Sequence, residues 1–123
     1  MEYEQDWILR QIQIIVQVIA RVVFHRQAVR YEIGGETKLS RTDLLYRKLQ
    51  ALLGEKKICE AEDLLFDSMD TDDKKYLELA LDFYQRVNSF SDRELEAADF
   101  SRAEVQDGLD AVLKRFGYQD LLR

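Results

Sequence analysis

Polar and apolar positions alternate along this chain with a helical period almost throughout. Between Trp7 and Phe24 the polar residues Arg10, Gln13, Gln17 and Arg21 recur at steps of three, four and four, although Ile and Val dominate and Gln11 to Ile14 alternates like a strand. The pattern predicts a first helix from about Gln5 to Tyr31, stopping before Gly34-Gly35. Its polar stripe covers only about a third of the circumference at 100° per residue. Ile8, Ile12, Ile15, Ile19 and Val23 lie opposite that stripe, with Trp7, Leu9, Ile14, Val16, Val18 and Val22 on the flanks. A surface helix normally shows a narrower apolar face. The expectation is therefore a helix at the centre of the fold, or one that self-associates through Ile8, Ile12, Ile15, Ile19 and Val23 as a homodimer seam.

Later segments carry their own start and stop signals. Ser40 or Thr42 caps a second helix running to Leu53 with Leu45, Leu49 and Leu52 on one face, and Gly54 ends it. A third helix is expected over Glu55 to Met69, burying Ile58, Ala61, Leu64, Leu65 and Met69. Thr71 caps a fourth, with Asp72 and Asp73 in its first turn, that runs to about Asn88 and buries Tyr76, Ala80, Phe83, Tyr84 and Val87. The capping-box patterns at Ser91 to Glu94 and Ser101 to Glu104 predict a short helix from Asp92 to about Ala98 and a longer one from Arg102 to Phe116, stopped by Gly117. A final turn spans Tyr118 to Leu122.

Composition agrees with this reading. The 123 residues contain no proline, five glycines, one cysteine and one histidine, which suits a single all-α domain over residues 1–123 and excludes an intrachain disulfide. Residues 1–57 carry a net charge of +3 and residues 58–123 one of −9. Solvated helix faces account for such asymmetry, and the basic residues Lys38, Arg41, Arg47, Lys48, Lys56 and Lys57 are interleaved with acids, so nucleic acid is not an expected partner. The start, MEYEQDW, is acidic where a secretory signal is basic, and the apolar stretch after it is interrupted by charge, so neither export nor a membrane span is expected.

The run Leu45 to Ser68 resembles one tetratricopeptide repeat, a two-helix unit in which small and large residues alternate at fixed positions. Leu45, Leu49 and Leu52 fall where the first helix packs, and Ile58, Ala61, Leu65 and Ser68 where the second does; Leu45 replaces the usual tryptophan and Leu49 the small residue of the first helix. The resemblance covers roughly a quarter of the chain. It implies a helical-hairpin array that binds a protein partner on the inner surface of its first helix, here Asp43, Tyr46, Gln50 and Leu53. Tyr46 and Gln50 stand where some such domains place the Lys and Asn that hold a peptide carboxylate, so that ligand is disfavoured. The opening EQDWILRQIQIIVQVIARVVF also looks like the start of a group of small, all-helical bacterial proteins without assigned function, which implies a cytoplasmic protein and adds no chemistry.

Reactive constellations are hard to assemble from this chain. Asp67, Asp70, Asp72 and Asp73 lack the alternating ligands, glycine and closing glutamate of a calcium loop and read as caps. His25 and Cys59 are too few for structural zinc and read as a surface imidazole and a packed thiol. Carboxylate pairs such as Glu60 with Asp63 and Asp107 with Asp110 are expected by chance among 24 acids. Gly34 to Lys38 lacks the spacing of a phosphate loop. The expectation is a non-enzymatic interaction protein with no catalytic residue, metal or cofactor. The alternative is a small-molecule or lipid binder with a cavity lined by Tyr76, Phe83, Tyr84, Phe90, Phe100 and Phe116.

Overall fold

The structure is a computed structural model describing residues 2–33 and 39–122. Six α-helices succeed one another: α1 (Glu2–Val23), α2 (Arg41–Gly54), α3 (Ile58–Asp67), α4 (Lys74–Asn88), α5 (Asp92–Ala97) and α6 (Arg102–Phe116), with a closing 3-10 turn at Gln119–Leu122. No strand occurs among the described residues. The expected Gly34-Gly35 connector lies outside them.

The helix at the centre is α4, which packs against α1, α2 and α6. Tyr76, Leu77, Leu79, Ala80, Leu81, Phe83, Tyr84 and Val87 are all buried and take up more than half of the helix circumference. Its two buried polar residues have partners. Asp82 accepts from Arg86 Nε at 2.7 Å, and Asn88 Nδ2 donates to the Leu9 carbonyl at 3.1 Å, tying α4 to α1. Past the end of α4, buried Arg102 donates to Asn88 O, Asn88 Oδ1, Phe90 O and Asp92 Oδ1 over 2.6–3.0 Å. Those bonds satisfy carbonyls that a helix terminus leaves open.

α1 is shorter than its periodicity suggests and is wrapped on one side only. It ends at Val23 rather than Tyr31, because His25 takes a left-handed backbone (φ 54) and the Phe24 and Arg26 N–H groups both close onto Ala20 O. From there the chain runs extended along the body. Val29 and Tyr31 are buried while Arg30 and Glu32 are exposed, a period of two that marks extended backbone.

Several boundaries shift for similar reasons. α2 ends one residue later than expected, at Gly54, and the reversal is made by Lys56 (φ 61), which lets Lys57 N–H reach Leu52 O at 2.9 Å. Asp99 (φ 57) and Gly117 (φ 82) close α5 and α6 with the same bond, from Phe100 to Leu95 and from Tyr118 to Leu113. Gly117 is the expected stop; the two side-chain-bearing residues do the same at a cost of roughly 1 kcal/mol each. α3 runs from Ile58 to Asp67 only, and α4 is capped by Asp73, whose carboxylate accepts from Lys75 N–H at 2.9 Å, in place of Thr71.

Candidate functional site

The outer face of α1 carries three of the four exposed large apolar side chains among the described residues. Its inner side, with Ile12 and Ile19 fully buried and Ile15, Val16 and Ala20 nearly so, belongs to the core. Its outer side carries Trp7, Ile14 and Val22, exposed to 61%, 57% and 51%. Their spacing of seven and eight residues sets them about two helical turns apart on one stripe. Asp6, Arg10, Gln17 and Arg21, all exposed, run along one flank. Beside Ile14 lies a hollow of about 460 Å³ with Val16 in its lining and Gln27, Ala28 and Gln85 at its margin. Gln85 Nε2 donates to Val29 O at 2.8 Å and so anchors the extended segment as the wall of this hollow.

The residues expected at a self-association seam therefore face inward. Ile8 and Val23 are half-buried against the core, and Ile12, Ile15 and Ile19 lie within it. The exposed apolar stripe is formed instead by three residues that sequence pattern places on the flanks.

Of the surface expected on α2, half is covered. Asp43 is buried, accepting from the Tyr31 hydroxyl at 2.6 Å and from Ser40 N–H at 3.0 Å; the Tyr31 bond is the main reason its carboxyl is held below the usual range. Tyr31 also lies 2.9 Å from Thr42 Oγ1, and its ring sits 5.0 Å from that of Tyr46. Arg86 Nη2 donates to the Tyr46 hydroxyl at 3.2 Å. Leu53 is buried, and it lines a shallow hollow of about 240 Å³ together with half-buried Gln50, Arg86 and Phe90. Tyr31, arriving on the extended segment, occupies the inner surface that a partner would need at Asp43 and Tyr46.

A second groove, of about 250 Å³, opens between α2, α3 and the start of α4. Leu44, Leu45 and Leu64 line it with Arg41 and Lys48 on one rim and Asp70 and Asp73 on the other. The two aspartates are engaged by backbone: Asp70 Oδ1 accepts from Asp72 N–H at 3.0 Å, and Asp73 caps α4. The aromatic residues pack as core. Tyr76 stacks on Phe116 with ring centroids 6.1 Å apart, Phe83 meets Tyr84 edge-on at 5.0 Å, and Phe100 is buried.

Cys59, expected as a packed thiol, is exposed at the start of α3. What desolvation it meets there, with the nearby carboxylates of Glu104, Asp99, Glu62 and Asp63, pushes its thiol up and makes it a weaker nucleophile at neutral pH. His25 stands exposed at the end of α1. Asp110 is pushed up by burial and by Asp107. Glu62, pushed up mainly by burial, accepts from the Tyr84 hydroxyl at 2.7 Å. Sequence pattern alone misses this pair, yet it leaves a trace: Gly108, the glycine inside α6, sits where a Cβ would collide with both the Tyr84 hydroxyl and the Glu62 carboxylate. Among the described residues no group of three or more His, Cys, Asp or Glu could hold a metal ion, and no helix is long and apolar enough to cross a membrane.

The chain belongs to DUF6483, a family of unknown function whose sequence model matches residues 2–117. No curated protein and no solved structure shows a significant match to it.

Proposed function

We propose that this member of the family is a non-enzymatic interaction module that docks a protein partner on the outer face of α1. The observation that carries the reading is the stripe of Trp7, Ile14 and Val22, more than half exposed on one helix whose other side is fully committed to the core. Single exposed apolar residues are ordinary on protein surfaces, but an aligned set rimmed by polar side chains is the mark of an interaction site. Burying such side chains is worth about 1.5–3 kcal/mol each, and an aromatic anchor at one end of the stripe fits the composition of binding hot spots.

Two other readings draw less support. The tetratricopeptide-like reading assigns partner binding to Asp43, Tyr46, Gln50 and Leu53, a surface on which Asp43 and Leu53 are buried and Tyr31 already packs. A ligand cavity lined by aromatics competes with Tyr76, Phe83, Tyr84 and Phe116 packing on one another. For the non-enzymatic part, the support is that the Cys59 thiol is made a weaker nucleophile and the Glu62 carboxylate is engaged by Tyr84.

A photo-reactive amino acid placed at Ile14 in cells of the native host tests the reading. The expected result is a discrete crosslinked product at position 14 and none at exposed Lys114 on α6. Equal products at both positions, or none at 14, would refute it.

A further inference from the structure

We infer that the partner on the outer face of α1 is a second copy of this chain, its α1 running antiparallel across a two-fold axis at Ile14. The inference rests on the interaction reading and adds the identity and direction of the occupant. The stripe is nearly symmetric about its own middle: Trp7 lies seven residues before Ile14 and Val22 eight after. An antiparallel copy therefore sets Ile14 on Ile14 and brings Trp7 within one residue of Val22, twice, so that one operation covers all three exposed side chains.

Charge selects the direction. In an antiparallel pair of helices each flank faces the same flank of its partner, at positions whose numbers sum to a constant. About an axis at Ile14, Asp6 comes within one residue, about 1.5 Å along the axis, of Arg21 of the second copy and Arg10 equally near Gln17, and the symmetry repeats each pairing. A parallel pair would instead set this flank against the opposite one, where Gln11 and Val18 carry no charge, so Asp6 and Arg21 would find no partner across the seam. The acidic opening Glu2-Tyr3-Glu4 and the basic pair His25-Arg26 extend the same polarity beyond the stripe in the sequence.

Size sets the strength. A helix of 22 residues is about 33 Å long and, with side chains, about 10 Å wide. The seam thus buries a few hundred Å² per copy, the class of weak, reversible contacts, and the association is expected in the range of tens of micromolar.

Sedimentation velocity over a concentration series is the test, with circular dichroism confirming that each variant is folded. Wild-type protein should move reversibly between the 14.5 kDa chain and twice that mass. Asp6→Arg and Arg21→Asp should each weaken association about tenfold, and the double variant should recover most of it. In a Cys59→Ser background, an equimolar mixture of Trp7→Cys and Val22→Cys should oxidise mainly to the mixed disulfide. Predominant Trp7→Cys homodimers would overturn the antiparallel direction. A strict monomer at all concentrations, with position 14 still crosslinking to a protein of another mass, overturns self-pairing and leaves the interaction reading standing. A strict monomer with no crosslink at position 14 overturns both.

Discussion

α1 and α4 are both amphipathic, both rich in large apolar residues, and they meet along one side, but they end in opposite situations. α1 has the purer apolar run, interrupted mainly by Arg10, Gln13, Gln17 and Arg21, yet it leaves Trp7, Ile14 and Val22 in solvent. α4 includes Asp82, Tyr84 and Asn88, and is the helix that the others surround. The difference is that the polar groups of α4 have fixed partners: Arg86 for Asp82, Glu62 for Tyr84, Leu9 O and Arg102 for Asn88. A buried polar group is costly only when it lacks a hydrogen bond. Centrality in this fold thus goes to the helix whose buried polar residues are answered, and the other keeps apolar surface in solvent.

The comparison can be broken first at its largest step. Leu77→Ala in α4 removes a fully buried side chain and should cost about 3 kcal/mol in urea unfolding, whereas Ile14→Ala on the outer face of α1 should change monomer stability by less than about 0.5 kcal/mol. Similar costs for the two would mean that the outer face of α1 is core after all. Next comes Arg102→Ala, which strands the carbonyls of Asn88 and Phe90 beyond α4 and should cost about 3 kcal/mol. Gly108→Ala gains helix propensity of about 1 kcal/mol but pushes Tyr84, a ring packed in the core, off its position; the net loss should be about 1–2 kcal/mol. Tyr84→Phe in the same chain should recover part of it, since the colliding hydroxyl is gone.

The smallest step is read through pH. Burial raises the Glu62 pKa in the folded state above its unfolded value of about 4.5, so the folded form binds the proton more tightly. The penalty of the buried carboxylate is fully present above the folded pKa, diminishes as pH falls through it, and is gone below the unfolded one. Glu62→Gln keeps an acceptor for Tyr84 without the charge. Its melting temperature should therefore gain on wild type more at pH 7 than at pH 4, and an equal difference at both would show that burial at Glu62 is not coupled to folding.

Helix number and order were readable from residues with local consequences. Ser40, Ser91 and Ser101 each accept from the N–H three residues on, and Gly117 stops α6 as its conformational freedom allows. Stops made by residues without that signature were harder to read: His25, Lys56 and Asp99 adopt left-handed backbone, which residues bearing a side chain take far less readily than glycine. The expected extension of α1 to Tyr31 rests on Gly34-Gly35 as the stop, although the alternation of Val29, Arg30, Tyr31 and Glu32 already carries the period of extended chain. Which face of α1 is covered depends on α4 and α6 arriving from more than fifty residues away. No local pattern specifies that, and so Ile8, Ile12, Ile15, Ile19 and Val23 could be recognised as one apolar face but not as the inner one.

The most direct measurement uses Trp7, the chain's only tryptophan, which sits on the stripe itself. Its fluorescence reports whether that face is wet or covered. On dilution from roughly hundreds of micromolar to below one micromolar, a range that brackets the association expected for a seam of this size, the emission should move from that of a covered indole to that of a hydrated one. Ile14→Glu should hold it at the hydrated position throughout. Emission that stays at one position across the whole range in the wild-type protein would contradict self-pairing on this face.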